Sequence, residues 1–121
     1  VDVLSKVGGL EIAGMTGLFL GGAASGMPVA VDVSVSSAAA VLAVMICPAA
    51  SGYMIMSCAG KEPAAAVLAG RLGKKPVIDA DMALGEGTSA VMLYPLLDMA
   101  LSVYNNGRTF DDADITAYER F

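Results

Sequence analysis

Between residues 33 and 60 the chain carries no charged side chain. A run of that length either crosses a bilayer or fills the middle of a layered core. Pro48 and Gly52 interrupt it, Ser34, Ser36, Ser37, Ser51 and Ser57 dilute it, and no Lys/Arg cluster flanks it. Strands covered on both faces read as continuous apolar runs, so burial in a parallel sheet accounts for the mean hydropathy of +0.68 without a membrane. The expectation is a fold with no membrane partner.

The chain has no histidine, which removes Ser/His/Asp and Cys/His nucleophiles, His-ligated zinc and the usual near-neutral proton shuttle. Acid/base work falls to carboxylates, lysines or tyrosines. At 121 residues and 56% hydrophobic composition the chain is one ordered domain with a sizeable core. A net charge of −5 argues against a nucleic-acid partner. Much of that charge lies in Asp111, Asp112, Asp114 and Glu119, opposed there only by Arg120, so residues 1–108 read as an α/β domain and 109–121 as a solvated acidic tail. Cys47 and Cys58 form no CxxC and have no histidine to complete a metal site; both read as buried thiols of a reducing cytoplasm. The first residue is Val1 and no charged segment leads into an apolar run, so no signal peptide is expected and the chain looks excised from a longer one.

Gly8 and Gly9 precede a helical pattern through residues 10–20 that Gly26 ends. Residues 28–32 read as a short strand opened by Pro28. Ser36 or Ser37 is expected to cap a helix running to Ile46 and stopped by Pro48. Residues 53–57 read as the next strand, 61–72 as a helix ended by Gly73, 76–79 as an extended segment, and 84–89 as a loop leading into a helix to about Tyr104. Strands alternating with helices imply βαβ units, and so an α/β fold: an open parallel sheet with helices on both faces. Three strands leave an apolar edge, which marks the domain as incomplete. Ligands of such sheets sit at the carboxyl ends of the strands, which places Asp32, residues 57–62 and Glu86 on one rim.

Glu86 lies between Gly85 and Gly87 just before a helix, where a carboxylate either projects into a cleft or simply serves the helix start. Asp32 ends a strand before several serines, a place to hold ribose hydroxyls or to cap a helix. Gly8-Gly9 before a helix is a weak phosphate signal that matches neither a P-loop nor GxGxxG. Lys61 and Glu62 read as a solvated pair, and the 8 methionines as core filler.

Taken together, residues 2–15 (DVLSKVGGLEIAGM), 28–32 (PVAVD), 36–40 (SSAAA) and 84–88 (LGEGT) resemble the carboxyl-terminal third of the nicotinate-nucleotide:dimethylbenzimidazole phosphoribosyltransferase family. That resemblance implies a Rossmann-like sheet and a cytoplasmic homodimer that works without metal or cofactor. Its substrates would be nicotinate mononucleotide and 5,6-dimethylbenzimidazole, and its products α-ribazole 5′-phosphate and nicotinate, in assembly of the lower ligand of cobalamin. It puts the catalytic glutamate on Glu86, as general base, and substrate-binding positions on Asp32, Gly8, Gly9, Ser57, Gly60, Leu84, Gly85 and Gly87. The chain departs from the family's pattern at Val33, where the family has glycine, at Cys58, where it has histidine, and at Gly60, where it has serine. The other reading is a non-catalytic piece of that fold acting by association with another chain; the isolated 121-residue chain is expected to be inactive either way.

Overall fold

The computed structural model describes residues 1–83 and 85–116. Its helices are α1 (Asp2–Val7), α2 (Leu10–Ala24), α3 (Ser34–Ile46), α4 (Pro63–Leu72) and α5 (Thr88–Asn106); its strands are β1 (Val29–Val31) and β2 (Met54–Met56). Short 3-10 segments cover Pro48–Tyr53 and Asp111–Ala113. The strands run parallel, with Val29 opposite Met54 and Val31 opposite Met56. A third extended segment continues the sheet beyond β2. Val77 N–H donates to the Met56 carbonyl (3.0 Å), Ile78 N–H to Ser57 (2.8 Å) and Ala59 N–H to Ile78 (2.9 Å), around a parallel bridge between Cys58 and Ile78. The result is a helix-rich α/β unit with all its strand pairing parallel, as the alternating pattern requires.

Local chemistry sets the joints. Gly22 has no side chain because a Cβ there would collide with Val29, so the glycine lets α2 press on β1, and Gly26 (φ 68°) reverses the chain between them. Alanines give α3 the same closeness: Ala39, Ala40 and Ala43 are fully buried with Phe19, Val31, Ala50, Met54 and Leu72 in one core. Helix α4 starts with Pro63 in its first turn and ends on Gly73 (φ 64°), whose N–H reaches the Gly70 carbonyl while Lys74 N–H reaches Ala69, both at 3.2 Å.

Several expectations need correction. Helix α1 has no counterpart in the sequence pattern, and Tyr53 ends a 3-10 segment rather than opening a strand, because Pro48 starts a tight turn that carries the chain up to β2. Neither Ser36 nor Ser37 caps α3; that helix begins ahead of both, at Ser34, with Val33 as its N-terminal flank and no side chain capping it. Cys47 is exposed, since it sits where α3 turns away from the core, whereas Cys58 is buried in the sheet; both are free thiols. Met54 and Met56 are core, but Met27, Met45, Met92 and Met99 lie on the surface. Lys61 pairs with Asp81 (2.8 Å), not Glu62, which instead accepts from the Ser34 hydroxyl.

Among the described residues no helix is long and apolar enough to cross a membrane. The described part of the acidic segment is exposed throughout and folds locally: Asp112 accepts from the hydroxyl and the N–H of Thr109 (2.7 and 2.9 Å), which hold its carboxyl below the usual carboxylate range, the hydroxyl foremost.

Candidate active site

Asp32 follows β1 directly, at the carboxyl end of the strand. Its N–H donates to the Ser36 hydroxyl (3.1 Å), and its carboxylate spans to the start of α5. There Oδ2 accepts the N–H of Gly87 at 2.9 Å and Oδ1 accepts the Ser89 hydroxyl. Fully buried Ser57 and Ser89 lie beneath, with their hydroxyl oxygens 2.8 Å apart, and Ser57 also reaches the Val31 carbonyl at 2.8 Å. An acidic group at a helix start is favoured by the unpaired N–H groups and the helix dipole. The carboxylate filling that place on α5 is Asp32, drawn from the far side of the chain, and not the adjacent Glu86.

Glu86 occupies the corner of a turn that Thr88 N–H closes on the Gly85 carbonyl (3.3 Å). Glu86 has φ 63° and Gly87 φ 82°, two successive left-handed residues. For glycine that is free; for glutamate it costs roughly 1 to 2 kcal/mol. The conformation leaves the Glu86 side chain exposed.

Two clefts meet at this turn. One, of about 430 Å³, is lined by Asp32, Val33, Gly60, Lys61, Gly85 and Glu86 among others, and Lys61 brings a cation to it. The other, of about 450 Å³, has an apolar wall of Met15, Leu18, Phe19, Val29, Ala30 and Ala90. Asp32, Val35, Ser36 and Glu86 line both, so Glu86 stands on the ridge between a cleft of mixed lining, with Lys61 and Glu62 in it, and an apolar one.

The expected rim therefore assembles in part. Asp32, Gly60, Gly85, Gly87 and Glu86 come together around the two clefts. Ser57 lies under the site, bonded to Ser89 rather than open to a cleft. Gly8 and Gly9 line neither cleft: Gly9 is the N-terminal flank of α2, with the carboxylate of Glu11 lying over it. Leu84 falls outside the described residues. Met15, Leu18 and Phe19 are cleft residues that sequence reasoning misses, because on an apolar helix a wall facing a cleft has the same composition as one facing the core. Ser89 is missed as well; its only signal is a small polar residue in the first turn of a helix. Among the described residues no group of three or more His, Cys, Asp or Glu is placed to hold a metal ion.

A family model described as phosphoribosyltransferase matches residues 1–115. The chain belongs to this phosphoribosyltransferase family. It is 44% identical over 116 residues to the nicotinate-nucleotide–dimethylbenzimidazole phosphoribosyltransferase of Desulforamulus reducens, covering 96% of this chain and 33% of that one. To the protein of the same name from Chloroflexus aggregans it is 45% identical, with the same coverage. The crystal structure of the Thermus thermophilus enzyme superposes with a TM-score of 0.87 at 34% identity, covering 96% of this chain and 35% of that one. The chain thus spans about one third of the length of these relatives.

Within the phosphoribosyltransferase fold, two of the departures noted in the sequence touch each other. A Cβ on Gly60 would lie 2.8 Å from Val33 Cγ1 and 3.1 Å from Ala65 Cβ, so the valine methyl fills the space a side chain at 60 would need. Both residues line the first cleft, where the valine adds apolar surface.

Proposed function

We propose that the chain forms the carboxyl-terminal third of a cytoplasmic enzyme, active as a homodimer, that moves phosphoribose from nicotinate mononucleotide onto 5,6-dimethylbenzimidazole. The observation that carries this reading is the place of Glu86: it lines both a cleft that holds Asp32, Ser36, Lys61 and Glu62, hydrogen-bonding groups for the ribose of a nucleotide, and a cleft walled by apolar side chains, suited to a flat aromatic base. Gly60 and Gly85 line the first of these clefts and Gly87 the second, positions from which they would border the nucleotide and the base.

In this arrangement one nitrogen of the benzimidazole attacks the ribose anomeric carbon while the other loses its proton to the Glu86 carboxylate. The bond from that carbon to the nicotinate ring nitrogen breaks, and its electron pair neutralises the pyridinium. The leaving group departs without needing a proton, so one base suffices. Attack from the opposite face inverts the β linkage to α, and the step balances without a metal or an oxidant. A positioned base of this kind contributes about 10²- to 10⁴-fold, or roughly 3 to 5 kcal/mol of barrier.

Glu86→Gln in a full-length chain carrying these residues tests it. The amide is nearly isosteric, so the thermal midpoint should hold while turnover falls about 10²-fold or more and the KM for nicotinate mononucleotide changes far less. Normal turnover in that variant removes the base assignment. The other reading, a non-catalytic piece acting by association, draws on the exposed apolar side chains of α5; a full-length chain with no transferase activity would favour it.

A further inference from the structure

Glu86 is exposed, lies on a turn and holds a backbone conformation unfavourable for glutamate, yet a base must be kept in place. We propose that Asp32 is the positioning residue that keeps the Glu86 carboxylate on the ridge between the two clefts, acting through the Gly87 N–H and the Ser89 hydroxyl and not on substrate. The inference rests on Glu86 being the base.

Three features support it. First, both Asp32 carboxylate oxygens are engaged, Oδ2 by the N–H of the residue after Glu86 and Oδ1 by Ser89. With Gly87 pinned on one side and the Gly85 carbonyl bonded to Thr88 on the other, the Glu86 φ is held at its left-handed value. Released, it would fall back to negative φ, the favoured region for every residue with a Cβ, and the side chain would leave the ridge.

Second, Asp32 is itself anchored. Its N–H is bonded to Ser36 and its carbonyl accepts from the Ser37 hydroxyl at 3.4 Å, so the first turn of α3 holds the residue at the end of β1. The contact then joins two parts of the chain 55 residues apart.

Third, the buried hydroxyls give the connection a direction. A carboxylate only accepts, so Ser89 donates to Asp32, and its oxygen is left to accept from Ser57. Ser57 has one proton for two acceptors at 2.8 Å, Ser89 and the Val31 carbonyl. The stack thus backs Asp32 with the sheet itself, in a dry setting where such bonds are strong.

The test is a double-mutant cycle on turnover in the full-length chain, with nicotinate mononucleotide and 5,6-dimethylbenzimidazole as substrates. Asp32→Asn keeps the shape but turns an amide NH₂ toward one of two donors. It should lower kcat about 10- to 100-fold with the KM for nicotinate mononucleotide nearly unchanged. The combination with Glu86→Gln should be no slower than Glu86→Gln alone, because a residue that acts through the base adds nothing once the base is gone. A merely structural role would multiply the two losses. Ser89→Ala removes one bond and leaves the Gly87 contact; it should give a smaller loss with the same absence of additivity, and it carries the test if the thermal midpoint shows that Asp32→Asn has unfolded. Multiplied losses, normal kcat in both variants, or a loss confined to KM overturn the proposal, the last by assigning Asp32 to the ribose. Normal turnover in Glu86→Gln overturns the base assignment and this inference with it, and is recognisable because it is read on that variant alone.

Discussion

Val33 and Gly60 claim the same space from two different loops, and each explains the other. A serine at 60 would push its Cβ to 2.8 Å from Val33 Cγ1, and the close Ala65 Cβ leaves it no retreat. Gly60→Ser is therefore expected to lower the urea midpoint, and Val33→Gly in the same chain to relieve that penalty, with a coupling of roughly 0.5 to 3 kcal/mol. An equal loss in both backgrounds would show that the two positions are independent. The sequence marks each as an unusual residue in a recognisable motif, but not as a pair, since side-chain volume is exchanged across strands and helices that are remote in the chain. Asp32 carries the same lesson. Its carboxylate at the end of a strand suggests either a sugar ligand or a cap on the helix that follows; it serves a helix start 55 residues further on, which no local pattern encodes.

At the scale of an element, the ends of α4 are legible because their chemistry is local. Pro63 suits a first turn, and Gly73 supplies the left-handed residue that closes the last one. Two glycines of this segment should respond with opposite sign to the same substitution. Gly73→Ala forces a side chain into φ 64° and should cost roughly 1 to 2 kcal/mol. Gly70→Ala, exposed in the helix with nothing within 4 Å of the new Cβ, should gain roughly 0.5 to 1 kcal/mol. Urea unfolding of the two variants decides it, and equal shifts would refute the assigned C-cap. The start of α3 misleads for a complementary reason: Ser36 and Ser37 are good caps by type, but their hydroxyls are spent on the backbone of Asp32, so tertiary bonding overrides a local preference.

For the whole molecule, the decisive feature is α5. It buries only Ser89 and Leu93 and exposes Val91, Met92, Tyr94, Leu96, Met99, Leu101, Val103 and Tyr104. So much apolar surface on one helix calls for a partner surface. The isolated 121-residue chain is accordingly expected to self-associate at micromolar concentration and to bind a dye that reports exposed apolar surface; a clean monomer by sedimentation with no dye signal would contradict this. The alternation of strands and helices after α1, and the parallel sense of the strands, were determined by sequence alone, because hydrophobic periodicity, proline and glycine act within a few residues and a parallel crossover leaves little topological choice. Only the tertiary structure decided that Asp32 clamps the Glu86 turn, that Ser57 lies beneath the site instead of in it, that Gly8 and Gly9 stand apart, and that a second, apolar cleft opens beside Glu86. Each of these depends on distances between segments remote in the chain, which are set by packing and carry no signature in the spacing of residues.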